Sequence, residues 1–376
     1  MPPSGKRWAL GGLVAALTAA AWIGGKAKAP ENPPDARPAL KRTRQSTPDR
    51  AKERSIAEAT AKRGISEDWD DLRRWLGTDP PPSADEIRER LLALRIEWTS
   101  ADPQALAEAI RRLLESGGDA PTGLAFKVGN HGFLTDWPTL RVFLLDVLAA
   151  ADPEMAKEIA GRVLDTTDSA DEYAAGLRSL TRQGMGRADD AELLERFGKM
   201  LGRGDWQDSR GFAEAMDLAR FVGTADAAGK LAEWEGNPRL RSMAMNEFAA
   251  EHPKEALEAL GNAAHLDPPT RASLMARADP EDPAQVSTVD AYLRNPALTN
   301  EEAALFLKTF PLRSATTGYR LYGKTPAPYA FDRIAAGDRK AAELVNAWAA
   351  DPALEKYRPE LQSLQQRLAK WVEQAK

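Results

Sequence analysis

A two-residue corner recurs along this chain and limits what the chain can fold into. In each copy a residue with a polar side chain precedes a proline, and apolar residues at helical spacing flank the pair. The copies are Asp102-Pro103, Asp152-Pro153, His252-Pro253 and Asp351-Pro352. Aspartate at such a position caps a helix by accepting a hydrogen bond from a free backbone N–H. Proline fits the first helical position, where its missing N–H costs nothing. The corners therefore predict a series of helices that turn back on one another.

Apolar spacing and composition extend this prediction to residues 48–376. After the first corner, four apolar residues fall on one helical face: Leu106, Ile110, Leu113 and Leu114. Alanine, leucine, glutamate and arginine dominate the chain, whereas runs of valine, isoleucine and threonine are rare, which favours helix over sheet. Capping boxes are predicted at Ser83-Glu86, Ser169-Glu172 and Thr299-Glu302. The predicted fold class is all-α.

The corners are separated by roughly fifty residues or a multiple of that number, which predicts a degenerate repeat. The windows EFAAEHPKEALEAL and NAWAADPALEK share an aromatic-Ala-Ala run, a His-Pro or Asp-Pro corner, and a following Ala-Leu. This pattern resembles the degenerate arrays related to tetratricopeptide and HEAT repeats. The resemblance implies a right-handed helical-hairpin solenoid or superhelix with a scaffold or protein-binding role, and it brings no catalytic residues.

The N-terminal region has a different character. Lys6 and Arg7 precede an uncharged run over residues 8–25, which is typical of either a secretory signal peptide or an N-terminal membrane anchor. Proline and basic side chains over residues 30–47 predict an extended linker. The predicted organisation is a signal or anchor over 1–29, the linker over 30–47, and a helical-repeat domain over 48–376. Such a protein is expected to be periplasmic or held at the inner membrane.

Charge is distributed unevenly along the chain. The formal net charge is −5, with +2 over residues 1–25 and +6 over residues 26–64, so the remaining residues carry −13. An acidic body argues against nucleic-acid binding, which needs clustered lysine and arginine. Membrane contact is expected only through residues 8–25 and the basic linker. The chain has no cysteine, which excludes disulfides and thiolate metal sites.

Two stretches interrupt the helical pattern. Residues 119–136 hold three glycines and predict a structured loop over the helices with a short extended piece. Residues 311–328 are the second irregular stretch, and in and next to it tyrosine and basic residues are crowded together. The candidate protein-binding residues there are Tyr319, Arg320, Tyr322, Lys324 and Tyr329. Tyrosine and arginine are enriched at binding surfaces, but these rings could equally pack on neighbouring helices.

The residues that could support catalysis are few. His131, His252 and His265 show no paired or HExxH-type spacing, so no metal or cofactor is expected. Glu115-Ser116-Gly117-Gly118, followed by Thr122-Gly123-Leu124, resembles the lytic transglycosylases, whose catalytic glutamate precedes a serine at a helix end. The Met-Gln pair of that family is missing here, and a general acid also requires a raised pKa inside a cleft.

The sequence thus predicts a non-catalytic, exported or membrane-tethered scaffold that binds a protein partner. The alternative is a peptidoglycan-active enzyme of the lytic-transglycosylase type built on a helical superhelix.

Overall fold

The chain divides into two units, Met1–Asp49 and Arg50–Lys376. The computed structural model describes residues 64–181, 189–260, 266–313, 320–323 and 331–375, all of which belong to the second unit. The predicted signal or anchor segment and the linker lie outside the described residues, and so does His265. Among the helices described, none combines the length and the apolar character needed to cross a membrane.

The described residues are mostly helical, which confirms the all-α prediction. The first helices are α1 (64–76), α2 (Ala84–Thr99), α3 (Pro103–Glu115), α4 (Leu140–Ala151), α5 (Pro153–Thr166), α6 (Ala170–Thr181), α7 (Asp190–Leu201), α8 (Arg210–Ala215) and α9 (Asp217–Val222). The later helices are α10 (Ala225–Glu233), α11 (Pro238–Glu251), α12 (Pro253–Ala259), α13 (Pro268–Met275), α14 (Pro283–Leu293), α15 (Asn300–Thr309), α16 (Phe331–Ala350) and α17 (Arg358–Gln374). Strands β1 (Lys127–Val128) and β2 (Leu134–Asp136) form a short antiparallel hairpin.

Three of the four corners cap the following helix as predicted. The Asp102 carboxylate accepts a hydrogen bond of 2.9 Å from the backbone N–H of Ala105 at the start of α3. Asp152 caps α5 in the same way, at 3.0 Å. Asp351 caps a 3₁₀ helix, Pro352–Tyr357, which precedes α17.

The His252 corner differs from the prediction, because this side chain does not cap α12. Its Nε2 lies 2.9 Å from the carbonyl oxygen of Arg220 at the end of α9. The imidazole occupies the space beside Gly223, where an added Cβ would lie 2.6 Å from the ring. Gly223 has a φ of +71°, which favours glycine. The ring therefore joins the ends of two helices instead of capping one.

Two layers of helices are defined by contacts between alternate elements. The first layer contains α2, α4, α6, α8 with α9, α11, α13, α15 and α17, in that order of contact. The second layer contains α3, α5, α7, α10, α12, α14 and α16. From α2 onward, consecutive helices thus alternate between the layers, with α8 and α9 together taking one position. Each layer buries its apolar face against the other, so the core lies between them.

Ion pairs join equivalent positions of successive helices within a layer. Three such pairs are Arg141–Glu172 between α4 and α6, Arg220–Glu251 between α9 and α11, and Arg271–Glu302 between α13 and α15. Each pair spans 31 residues. This spacing is shorter than the roughly fifty residues predicted from the corners. The corners fall at only some of the turns, so their interval overstates the length of one helix pair.

The three predicted capping boxes, which begin at Ser83, Ser169 and Thr299, are formed to different extents. At Ser83 both reciprocal hydrogen bonds of the box are present. Ser169 and Thr299 also accept hydrogen bonds from the backbone N–H three residues later. The carboxylates of Glu172 and Glu302, however, bind arginines of the preceding helix in the same layer. A buried charge is stabilised far more by a guanidinium than by a neutral backbone N–H, so the box remains half formed.

A hairpin insert, residues 120–139, lies on the first layer and confirms the predicted structured loop. Its anchor is Asp146 of α4, whose side chain is 0% exposed. This carboxylate accepts hydrogen bonds from the Trp137 indole at 3.0 Å and from the Leu134 backbone at 3.1 Å. Arg178 of α6 pairs with Asp146 and donates to the Gly132 carbonyl at 2.7 Å. The insert is thus fixed to the helices through buried charges.

Candidate binding cleft

A second non-helical element, the crossing segment (residues 320–323), lies across the same layer. It meets the hairpin insert at Gly132, where an added Cβ would lie 2.4 Å from the Leu321 carbonyl oxygen. The Tyr322 hydroxyl donates to the Ala174 carbonyl of α6 at 3.2 Å. The Tyr322 carbonyl accepts from Arg220 of α9 at 2.6 Å. The crossing segment therefore bridges the hairpin insert, α6 and α9.

A cluster of five charged side chains, three of them buried, holds the crossing segment in place. Arg220 pairs with Asp217 at 2.5 Å and with Glu251 at 2.9 Å. Arg320 pairs with Glu247 at 2.5 Å and approaches Asp217 at 3.4 Å. Burial disfavours the charge on Arg220, but hydrogen bonds and attraction from Asp217 and Glu251 outweigh it and raise its pKa above the ordinary value. Arg220 is therefore held charged.

The main cleft opens beside this cluster, with a volume of about 590 Å³. Helices α8, α9 and α11, the first strand of the hairpin insert, and the crossing segment form its walls. Its apolar lining includes Phe126, Val128, Met216, Leu240, Met243 and Leu321. Its charged lining comprises Lys127, Arg210, Glu214, Asp217, Arg220, Glu247 and Arg320. A cavity of this size with mixed walls is suited to an organic ligand or a peptide segment.

The carboxyl group of Glu214, which lines the main cleft, has a pKa above its ordinary value. Burial raises the pKa of Glu214, and the nearby charge of Arg210, paired at 2.6 Å, partly opposes this shift. The negative charges of Asp217 and Glu247 raise the pKa further. A carboxyl in such a setting keeps its proton to a higher pH than a solvated glutamate does.

Met243 forms a ridge between the main cleft and a second cleft. It lies on α11 and is 49% exposed, one of three large apolar residues that are exposed in the described part of the chain. The second cleft, about 610 Å³, lies between α11 and the start of α13. Met243 and Glu247 line both clefts. The two clefts thus form a continuous surface with an apolar residue at its centre.

The structure places two of the five candidate protein-binding residues. Arg320 is 7% exposed and forms part of the cleft wall, while Tyr322 is 0% exposed and packs near Phe221. Burial raises the pKa of the Tyr322 hydroxyl well above its ordinary value. Tyr322 thus follows the alternative interpretation, in which the ring packs on neighbouring helices. Tyr319, Lys324 and Tyr329 lie outside the described residues.

The residues considered for catalysis lie apart from the main cleft. Glu115 ends α3, is 41% exposed and pairs with Arg111 at 2.8 Å and Arg162 at 2.9 Å. His131 is an exposed residue of the hairpin insert with a φ of +56°. Within the part of the chain that is described, histidine and carboxylate side chains form no cluster of three that could hold a metal ion.

Sequence reasoning did not identify Glu214 and Met243. For Met243 a signal existed, because the buried positions of α11 define one face and Met243 is an apolar residue outside it. For Glu214 no local signal existed, since its burial depends on α9 and α11 rather than on its own helix. No family model, curated protein or solved structure matches this chain.

Proposed function

We propose that this chain is a non-catalytic helical-repeat protein that binds a partner polypeptide in the main cleft and against Met243. The observation that carries the proposal is the half-exposed Met243 side chain between two clefts. Methionine is unbranched and polarisable, adapts to varied apolar groups, and is enriched at protein interfaces. The charged groups around the cleft would supply the polar rim that such interfaces have.

The arrangement of helices supports a scaffold role. We propose that the two layers wind into a right-handed solenoid similar to tetratricopeptide and HEAT arrays. The 31-residue interval of the ion pairs is close to the length of about 34 residues of a tetratricopeptide unit. Arrays of this kind present extended binding surfaces along one layer, and the main cleft lies on the first layer.

Export is the remaining part of the proposal. Residues 8–25 would direct the chain across the inner membrane as a signal or hold it there as an anchor. A fusion of residues 1–47 to alkaline phosphatase tests this, because the enzyme is active only outside the cytoplasm. An inactive fusion, with an active reporter of cytoplasmic location at the same position, would contradict export.

A peptide library tests the interaction site. Random peptides displayed on phage would be selected on the immobilised protein, and the affinity of the enriched peptides measured by fluorescence anisotropy. Met243→Glu is expected to weaken their binding about tenfold or more, because it removes a buried apolar contact from the interface. The matched control is Ile96→Glu, since Ile96 is also an exposed apolar residue, at 71%, but lies on α2. If Met243→Glu and Ile96→Glu bind the enriched peptides with equal affinity, the interaction lies elsewhere on the protein. A selection that enriches no peptide would contradict the proposal.

A second candidate function is an acid-catalysed reaction in the main cleft, with peptidoglycan cleavage as its form. The observation that favours it is the raised pKa of Glu214, because a general acid must hold its proton near neutral pH. The lytic-transglycosylase alternative rested on Glu115, whose exposed ion pairs do not provide that setting.

Release of soluble fragments from purified peptidoglycan separates the two functions. If the second candidate holds, the wild-type protein releases fragments and Glu214→Gln does not, while Glu115→Gln has no effect. Absence of release by the wild type would eliminate this candidate and leave the peptide-binding proposal untouched.

A further inference from the structure

A third cavity, the C-terminal pocket, lies between the end of α15 and helices α16 and α17. Its volume is about 540 Å³. The apolar part of its lining is formed by Pro311, Leu312, Ile334, Ala335 and Trp371. It shares no lining residue with the main cleft or the second cleft. Whatever it binds is therefore independent of the function proposed above.

Arg367 supplies a positive charge in this pocket, and among the described residues no carboxylate pairs with it. Its guanidinium donates hydrogen bonds only to main-chain carbonyls, of Leu307 at 3.3 Å and of Lys308 and Phe310. Its Nε is buried and makes no hydrogen bond. The Trp371 ring lies 5.3 Å from the guanidinium carbon. Carbonyl groups at the end of α15 offset the charge only in part, because they carry partial charges.

The remaining charged groups make the pocket cationic. Arg313 and Asp338 pair with each other at 3.2 Å and cancel in charge. Lys308 lines the pocket with an exposed ammonium group, and in the described part of the chain no carboxylate lies within ion-pair distance of it. Arg367 and Lys308 thus contribute two uncompensated positive charges beside an apolar wall.

We propose that the C-terminal pocket binds an apolar carboxylate, a molecule with a hydrocarbon body and one carboxylate group. The hydrocarbon would lie against Ile334, Ala335 and Trp371, and the carboxylate beside Lys308 and Arg367. Charge-assisted contacts of this kind are stronger than those between neutral groups, and they fix the orientation of the ligand. A pocket of about 540 Å³ falls within the range of small-molecule sites, which are mostly apolar with a few placed polar groups.

The state of Arg367 agrees with this site. Burial lowers the pKa of its guanidinium below the ordinary value. A bound anion would reverse that shift, because it favours the charged form. The ligand would supply a counter-charge that the described residues do not provide at this position.

Calorimetric titration of the full chain with decanoate tests the site. Decanol, which has the same hydrocarbon length and no charge, and decyltrimethylammonium, which has the opposite charge, are the comparison ligands. Decanoate is expected to bind at least about tenfold more tightly than decanol, the difference that one charge-assisted contact makes. Decyltrimethylammonium is expected to bind most weakly. Equal affinity for all three ligands would show a nonspecific apolar surface without a carboxylate site. That result, or no binding of decanoate, would overturn the proposal.

Variants locate the binding. Arg367→Met keeps an unbranched apolar side chain, removes the charge, and is expected to abolish the preference for decanoate over decanol. The control is Arg358→Met at the other end of α17, whose side chain is 59% exposed and lies outside the pocket. Unchanged decanoate affinity in Arg367→Met would contradict the site.

Two further variants keep the test decisive if Arg367→Met fails to fold, since that arginine also binds the end of α15. Lys308→Gln alters an exposed group and is expected to reduce the preference for decanoate. Ala335→Phe fills the pocket, because Ala335 is a buried lining residue, and should block decanoate and decanol alike. Retention of full decanoate binding by both variants would overturn the proposal.

Discussion

The carbonyl oxygen of Tyr322 accepts a hydrogen bond of 2.6 Å from Arg220, which lies 102 residues earlier in the chain. The ion pairs Arg141–Glu172 and Arg271–Glu302 of the first layer each span only 31 residues. In the repeat array proposed above, folding would couple mainly through neighbouring interfaces. The hydrogen bond from Arg220 instead connects α9 to the crossing segment, 102 residues later in the chain. The stability of the cleft therefore depends on residues distant in sequence.

Removal of the Arg220 charge tests this tie. Arg220→Met leaves Asp217 and Glu251 as buried carboxylates without their closest cation, and breaking a buried ion pair in this way costs roughly 3–5 kcal/mol. Arg74→Met is the control, because Arg74 and Asp71 are 78% and 55% exposed in their ion pair, and its loss should change the free energy of unfolding by less than about 1 kcal/mol. Urea unfolding measures both. Similar small losses in the two variants would show that the cluster adds nothing to stability.

Substitutions at two glycines allow the cost of backbone strain to be measured separately from the cost of a steric clash. Gly132 and Gly123 share a φ of +73°, but an added Cβ meets the Leu321 carbonyl at 2.4 Å in the first and nothing within 4 Å in the second. Gly123→Ala is expected to cost about 1–2 kcal/mol from the left-handed backbone alone. Gly132→Ala should cost about 1–3 kcal/mol more, because the crossing segment must move. Thermal unfolding of both variants gives the difference, and equal losses would show that the contact at Leu321 yields readily.

The first corner provides a graded test of helix capping and packing. Asp102→Ala should lower the free energy of unfolding by about 1 kcal/mol, the value typical of an N-cap. Ile110→Ala should cost roughly 2–5 kcal/mol, because Ile110 is fully buried and its removal leaves a cavity. Hydrogen exchange should show the loss of protection first over residues 84–165, since coupling in an array passes through neighbouring helices. Equal loss over residues 338–376 would indicate one global core.

The pH dependence of stability tests the environment of Glu214. Because burial raises its folded pKa above the ordinary 4.5, the folded state binds the proton more tightly than the unfolded state does. Stability is then reduced as pH rises from about 4.5 through the folded pKa, and the reduction is constant above it. Glu214→Gln should therefore be increasingly stable relative to the wild type over that interval.

Glu195 is the opposite case for comparison. A hydrogen bond from Lys199 lowers its pKa, so its contribution is present above the unfolded value and is lost as pH falls through the folded one. Glu195→Gln should therefore lose stability relative to the wild type as pH rises toward about 4.5 and show a constant difference above it, where Glu214→Gln still gains. Parallel curves for the two variants would mean that Glu214 is not held in a buried environment.

The elements specified by local patterns were predictable from the sequence. Capping by Asp102 and Asp152, the burial of Leu106 and Ile110, and the loop that became the hairpin insert all follow from neighbours within a few residues. His252 was assigned wrongly, because the position of its ring depends on Gly223, which lies on another helix.

The main cleft could not be predicted, since its walls come from four separate parts of the chain. Residues 125–128, 210–220, 240–247 and 320–321 line it, and no local pattern connects them. The burial of Arg320 illustrates the difficulty. A Tyr- and Arg-rich loop is compatible with an exposed binding surface, and only the carboxylates Asp217 and Glu247 on distant helices draw Arg320 inward.

The contact between Gly132 and Leu321 also bears on how such a chain can change in length. Open helical arrays tolerate gain or loss of a unit, because each unit meets only its neighbours. Here the two non-helical elements meet across the helices that separate them in sequence, from α4 to α15. A duplicated or deleted helix pair in that interval would displace Leu321 from Gly132 and the Tyr322 carbonyl from Arg220. The contact between the hairpin insert and the crossing segment thus fixes how many helices the middle of the domain can contain.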